Sequence, residues 1–150
     1  MLLRDEGVGV HVVEALRNVA LGRDVELIDG GTAGADLVDL IAGRRKVVVV
    51  DAIDAGAKPG TFFRLRPGDL LPAEGEMISL HQLGLVESLG MAAQLGCGPE
   101  EVVILGIQPR AIGPGLELSE ELAAAVPTAV RAVLAELPRK PQTVGEGPGL

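Results

Sequence analysis

The sequence predicts an α/β domain in three layers, an αβα sandwich with helices on both faces of a mostly parallel β-sheet. Segments with apolar residues at helical spacing alternate along the chain with short β-branched runs. One such run, Val47-Val48-Val49-Val50, has no polar alternation, which suits a strand covered on both faces as in a parallel sheet. The length, 150 residues, fits one core, because a chain of this size buries about two-thirds of its unfolded surface around a single centre. One domain is therefore expected over residues 1–137, followed by a tail over 138–150.

Val8, Val12, Leu16 and Val19 recur at helical spacing opposite His11, Glu14 and Asn18, so residues 7–20 read as an amphipathic helix with its apolar stripe on the sheet. Val25 to Asp29 is a short strand candidate running into Asp29-Gly30-Gly31-Thr32-Ala33-Gly34. Leu37, Leu40 and Ile41 mark a second helix closed by Gly43. Lys46 to Ala52 is expected at the sheet centre. Pro59-Gly60 has turn chemistry ahead of Thr61-Phe62-Phe63-Arg64-Leu65, a further strand for which an antiparallel direction is open.

Ser79-Leu80-His81-Gln82 fits a capping box, in which the Ser hydroxyl accepts the N3 amide and the Gln side chain reaches back. A helix through Leu95 follows, with His81 in its first turn. Val102 to Ile107 is another buried strand, and Leu122, Val126, Val130, Val133, Leu134 and Leu137 define a last helix after Ser119. Pro127 is expected to kink that helix, since it has no N–H for the carbonyl four residues earlier. From Pro138 onward the chain is rich in Pro and Gly without periodicity, the composition of a mobile tail.

Composition removes several classes of function. The formal net charge is -8, and no Lys/Arg cluster has aromatic neighbours, so a phosphate backbone is not an expected partner. Phe62 and Phe63 are the only aromatics in a chain that is 47% apolar, so aliphatic side chains must supply the core. The single Cys97 cannot form an internal disulfide, and no signal-peptide pattern occurs. The run Val47 to Val50 is far shorter than the ~20 residues of a membrane span. A soluble cytoplasmic protein with no nucleic acid or membrane partner is expected.

Ligands of parallel sheets gather at the carboxyl ends of the strands, and Asp51 follows the Val47 to Val50 run at that edge. Glu6 stands just ahead of the first helix, where its charge also suits simple stabilisation of the helix N-terminus. His81, near a helix start, feels a positive partial charge that disfavours imidazolium and leaves a neutral ring fit to bind a metal; an ordinary surface histidine is the alternative. His11 lies among polar positions and reads as solvated. Two carboxylates and an imidazole form a donor set of borderline hardness that suits zinc or nickel.

No His-Glu-x-x-His, Gly-x-Ser-x-Gly or Walker loop is present, so the usual zinc-protease, serine-hydrolase and nucleotide signatures fail. Cys97 sits in no nucleophile motif. The Gly30 to Gly34 segment lacks the Gly-x-Gly-x-x-Gly spacing of a phosphate cradle and reads as a strand-to-helix turn, whose glycines also allow a substrate backbone to approach.

Leu2-Leu3-Arg4-Asp5-Glu6-Gly7-Val8-Gly9-Val10, followed by Val13-Glu14-Ala15-Leu16, resembles the opening motif of hydrogenase maturation proteases. Asp29 to Gly34, Val50-Asp51-Ala52-Ile53, Pro59-Gly60-Thr61 and Ser79-Leu80-His81-Gln82-Leu83-Gly84-Leu85 resemble that family's further blocks, in order, and the similarity runs from Leu2 to about Leu137. The resemblance implies a phosphorylase/hydrolase-like αβα fold and an endopeptidase that removes the C-terminal extension of a nickel-loaded hydrogenase large-subunit precursor. It also implies that Glu6, Asp51 and His81 contact the metal, with the nickel supplied by the precursor. Asp51 or Glu6 is then the base that activates water, or the metal polarises the scissile carbonyl.

Members of that family begin with a buried strand ending in Gly-x-Gly-Asn, ahead of the Leu-Leu-x-Asp-Glu segment in which Met1 stands here. Such a strand would lie between those at Val25 and Val47, and its loss would leave rows of backbone groups unpaired at about 1–3 kcal/mol each. A start upstream of Met1 is therefore expected, the alternative being a damaged or remodelled relative. Two other readings compete: a module that docks a hydrogenase precursor or its chaperones without cutting, and a peptidase of this fold acting on a different precursor.

Overall fold

The computed structural model describes residues 7–28, 37–70, 80–110 and 118–137. Its elements run α1 (Val8–Arg17), α2 (Leu37–Ile41), β1 (Lys46–Ala52), β2 (Phe62–Leu65), a 3-10 turn (Pro67–Leu70), α3 (Leu80–Gln94), β3 (Glu101–Ile107) and α4 (Glu120–Glu136). The expected helix starting at residue 7, the strands at Lys46 and Thr61, the helix after Ser79, the strand at Val102 and the helix after Ser119 all form, within a few residues. The Gly30 to Gly34 turn, Glu6, Ser79 of the capping box and the tail lie outside the described residues.

Among the described residues the sheet has the order β1-β3-β2. β1 pairs with β3 in parallel, from Lys46 opposite Glu101 to Ala52 opposite Ile107. β2 pairs with β3 antiparallel, Phe62 opposite Ile107 and Leu65 opposite Ile104. The sheet is thus mixed, and the direction left open for the Thr61 segment resolves as antiparallel.

Sorting by face follows the two-residue period of a strand. Val103, Leu105 and Ile107 point to α1 and α4, where they pack with Val8, Val12, Leu16, Leu122, Ala129 and Val133, while Val48, Val50, Ala52 and Phe62 cover the rim. Ile104 points the other way and joins Ile53, Leu70 and Leu85, with Val49, Leu65 and Val102 beside them. Helices on both faces give the three layers, and aliphatic side chains fill both cores.

Two expectations need correction. Among the described strands β3, not β1, is the middle one: it is paired on both sides and its last five residues are buried, whereas most of β1 is half-buried. An unalternating valine run reports cover on both faces but not a partner on both edges, which is why the sequence could not separate the two strands. The described part of the Val25 segment joins no ladder. Val25 N–H closes a turn on Gly22 O, Leu27 packs on the α1–α4 core, and Glu26 pairs with Arg44 at 2.6 Å. A strand exists only with a neighbour to bond, and β-propensity at Val25 and Ile28 cannot supply one. α4 runs through Pro127 as one helix of 17 residues, with Pro127 on an exposed side and Leu122, Ala129 and Val133 forming the buried stripe.

Candidate active site at the carboxyl edge

Asp51 is the penultimate residue of β1, opposite Gly106 of β3. It is only 4% exposed, and its Oδ1 accepts the N–H of Ala52 at 2.8 Å. A carboxylate this deep needs hydrogen-bonding company, since an unpaired buried charge is strongly unfavourable. By strand alternation it shares a face with Val49, toward the layer of α2 and α3.

Two helices begin at the same edge. A Cβ placed on Gly9, in the first turn of α1, would collide with the carbonyl oxygen of Val50, so only glycine lets the helix lie directly on the residue before Asp51. The start of α1 is therefore fixed beside the carboxyl end of β1, and Glu6 precedes that start by sequence. α3 finishes at the amino edge, where Gly43 N–H donates to Cys97 O at 2.9 Å and β3 begins soon after. Its opening half lies toward the carboxyl edge, with Leu85 packed in the same cluster as Ile53. His81 is in the first turn of this helix, and its side chain lies outside what is described.

Of the three expected metal contacts, only Asp51 has a described side chain. Among the described residues no three His, Cys, Asp or Glu side chains gather around a common point. His11 is exposed on α1, as its polar neighbours implied, and Cys97 is a free, half-buried thiol at the opposite edge of the sheet.

Gln108 is the residue that sequence reasoning passed over. It follows β3 directly, is 4% exposed, and every group of its side-chain amide is used. Its Oε1 accepts Ala55 N–H at 2.8 Å and Ala57 N–H at 3.2 Å. Its Nε2 donates to Asp54 Oδ1 at 3.0 Å and to Pro109 O at 3.3 Å. Its backbone does the same for the other end of the β1–β2 connection, donating to Thr61 O at 2.8 Å and accepting from Gly60 N–H at 2.9 Å. The Gln108 amide, and then the Gly56 N–H, hold the Asp54 carboxyl below its usual range by favouring the charged form. The available signal was position: Gln108 is the first polar residue after a buried run at the carboxyl edge.

The outer side of that connection faces α4 across a groove of about 350 Å³, with Pro59, Gly60 and Phe62 on one wall and Ala124 and Ala125 on the other. Gly60 has φ +85, which favours glycine, and a Cβ there would sit only 3.3 Å from Glu121 O of α4. Glu121 in turn accepts Arg110 Nη1 at 3.0 Å.

The profile of the hydrogenase maturation protease family matches residues 10–136. The hydrogenase 2 maturation protease of Escherichia coli (strain K12) is 36% identical over 139 residues, covering 91% of this chain and 85% of the relative. The hydrogenase expression/formation protein HupD of Thiocapsa roseopersicina is 42% identical over 111 residues, 73% of this chain, and the match spans 50% of that relative's own length. The solved structure of the hydrogenase maturating endopeptidase HybD from E. coli superposes with a TM-score of 0.82 at 36% identity, over 91% of this chain and 85% of that one.

Proposed function

The chain belongs to the hydrogenase maturation protease family, and we propose that it hydrolyses one peptide bond near the C-terminus of a hydrogenase large-subunit precursor that already carries nickel, releasing the C-terminal extension. The observation that carries this reading is a buried carboxylate, Asp51, at the strand edge where α1 and α3 both begin. In this reading Glu6, Asp51 and His81 contact the nickel of the precursor, so the metal belongs to the substrate and serves as a checkpoint. Two carboxylates and a neutral imidazole suit such an ion.

Asp51 or Glu6 takes a proton from water as the water oxygen adds to the scissile carbonyl carbon. The C–N bond then breaks as the leaving amine takes that proton from the carboxyl group. Membership of a protease family favours cleavage over docking alone. No helix among the described residues is long and apolar enough to cross a membrane, and the cytoplasmic setting is part of the same proposal.

The test is processing of a large-subunit precursor prepared with and without nickel. Cleavage of the loaded form alone is expected, and His81→Ala should abolish it while circular dichroism stays that of the parent. Undiminished cleavage by that variant rejects the metal-contacting trio, and cleavage of an unrelated peptide panel would point to another substrate.

A further inference from the structure

We propose that Gln108 is a positioning residue that holds the β1–β2 connection as a rigid wall beside Asp51, against which the precursor peptide is laid for cleavage. This rests on the reading of the carboxyl edge as the active site.

A nine-residue connection between two strands has many conformations available, and holding one costs backbone entropy at each residue. Here a single buried residue ties both of its ends: Oε1 and Nε2 of Gln108 fix Asp54, Ala55 and Ala57, while its N–H and C=O fix Thr61 and Gly60. Glutamine suits this because one side chain offers an acceptor to two amides and a donor to a carboxylate at once. Alanine or leucine at 108 would leave two backbone N–H groups and the Asp54 carboxylate without their shared partner.

Asp51 does not depend on Gln108 for its own place. It is held by the β1–β3 ladder, and Ile53 N–H donates to Ile107 O at 3.0 Å just beyond it. Loosening the Gln108 side-chain ties therefore frees residues 54–57, keeps the backbone bonds to Gly60 and Thr61, and leaves the carboxylate where it is. The loss should fall on binding of the peptide rather than on the bond-breaking step, so KM and kcat separate the two roles.

The decisive variant is Gln108→Glu, which is nearly isosteric but sets a carboxylate against Asp54. With a nickel-loaded large-subunit precursor as substrate, it should raise KM about tenfold with kcat within about twofold. Adding Asp54→Asn restores an amide-to-carboxylate hydrogen bond with donor and acceptor exchanged, and should return KM to that of the parent. Unchanged KM in Gln108→Glu, a loss confined to kcat, or no rescue in the double variant overturns the proposal.

Should Gln108→Glu not fold by circular dichroism, Asp54→Ala, at an exposed position, decides instead. A several-fold rise in KM supports the wall, and an unchanged KM rejects it. Asp51→Asn runs in parallel. If it cleaves with the kcat of the parent, the site reading itself fails; if it loses kcat while the Gln108 variants bind normally, only the wall is rejected.

Discussion

A carboxylate that is 4% exposed and accepts a hydrogen bond from the next residue's amide is held in one orientation, which a group receiving a proton from water requires. Replacing Asp51 by Asn keeps the shape and removes the basic oxygen. Processing kcat is expected to fall by about 10²–10⁴-fold with thermal unfolding unchanged, and a rate close to that of the parent would remove Asp51 from the chemistry. At the other edge, Glu136 accepts Arg64 Nε at 2.6 Å and Lys46 Nζ at 2.9 Å. The Arg64 hydrogen bond first, then that from Lys46, brings its pKa down from 4.5 to about 2. The folded value lies below the unfolded one, so the stabilisation is complete above the unfolded pKa and disappears as pH falls through about 2. Arg64 is 52% exposed, so solvent screens its pair with Glu136, whereas Lys46 at 28% is more enclosed. Glu136→Gln should lower the melting temperature at pH 7 slightly and flatten its decline between pH 5 and 2. Melting curves followed by circular dichroism read this directly, since the chain has no Trp or Tyr to report by fluorescence.

Among the elements, α1 fits closely on the sheet. Its stripe of Val8, Val12 and Leu16 is fully buried or nearly so, and Gly9 brings the helix onto the Val50 carbonyl. Gly9→Ala forces α1 away from β1, at about 1–3 kcal/mol for an overpacked contact. Because the displaced turn is the one beside Asp51, processing should fall by more than the lost stability accounts for. Equal activity at a temperature where both proteins are folded would show that the start of α1 takes no part in the site. α4 depends instead on its buried stripe. Leu122→Ala should cost about 2–5 kcal/mol, because the residue is fully enclosed between helix and sheet, and denaturant midpoints measure it.

For the whole molecule, β3 is the strand that both layers share. It sends Val103, Leu105 and Ile107 into one core and Ile104 into the other, and it is bonded along both edges. Amides that open only on global unfolding are therefore expected in β3 and its bonds to β1, with the edge strand β2 exchanging earlier. Native-state hydrogen exchange that found β2 more protected than β3 would contradict this placing of the core. Gln108 connects the scales: it stands where the most stable strand ends and the connection proposed to meet substrate begins.

Helical spacing and β-branched runs were enough to read most elements, because burial of one face leaves its period in the sequence whatever the neighbours are. Asp51, too, was legible, since a polar residue ending an apolar strand marks the carboxyl edge. What the linear pattern could not hold was anything defined by a partner. The middle position of β3 among the described strands, the failure of Val25 to Ile28 to join a ladder, and the side-chain hydrogen bonds of Gln108 to Asp54, Ala55 and Ala57 all depend on groups far away along the chain. Periodicity reports whether a residue is covered. Only the folded chain decides by what, because hydrogen bonds and strand pairing are relations between two places, and one-dimensional order records each place alone.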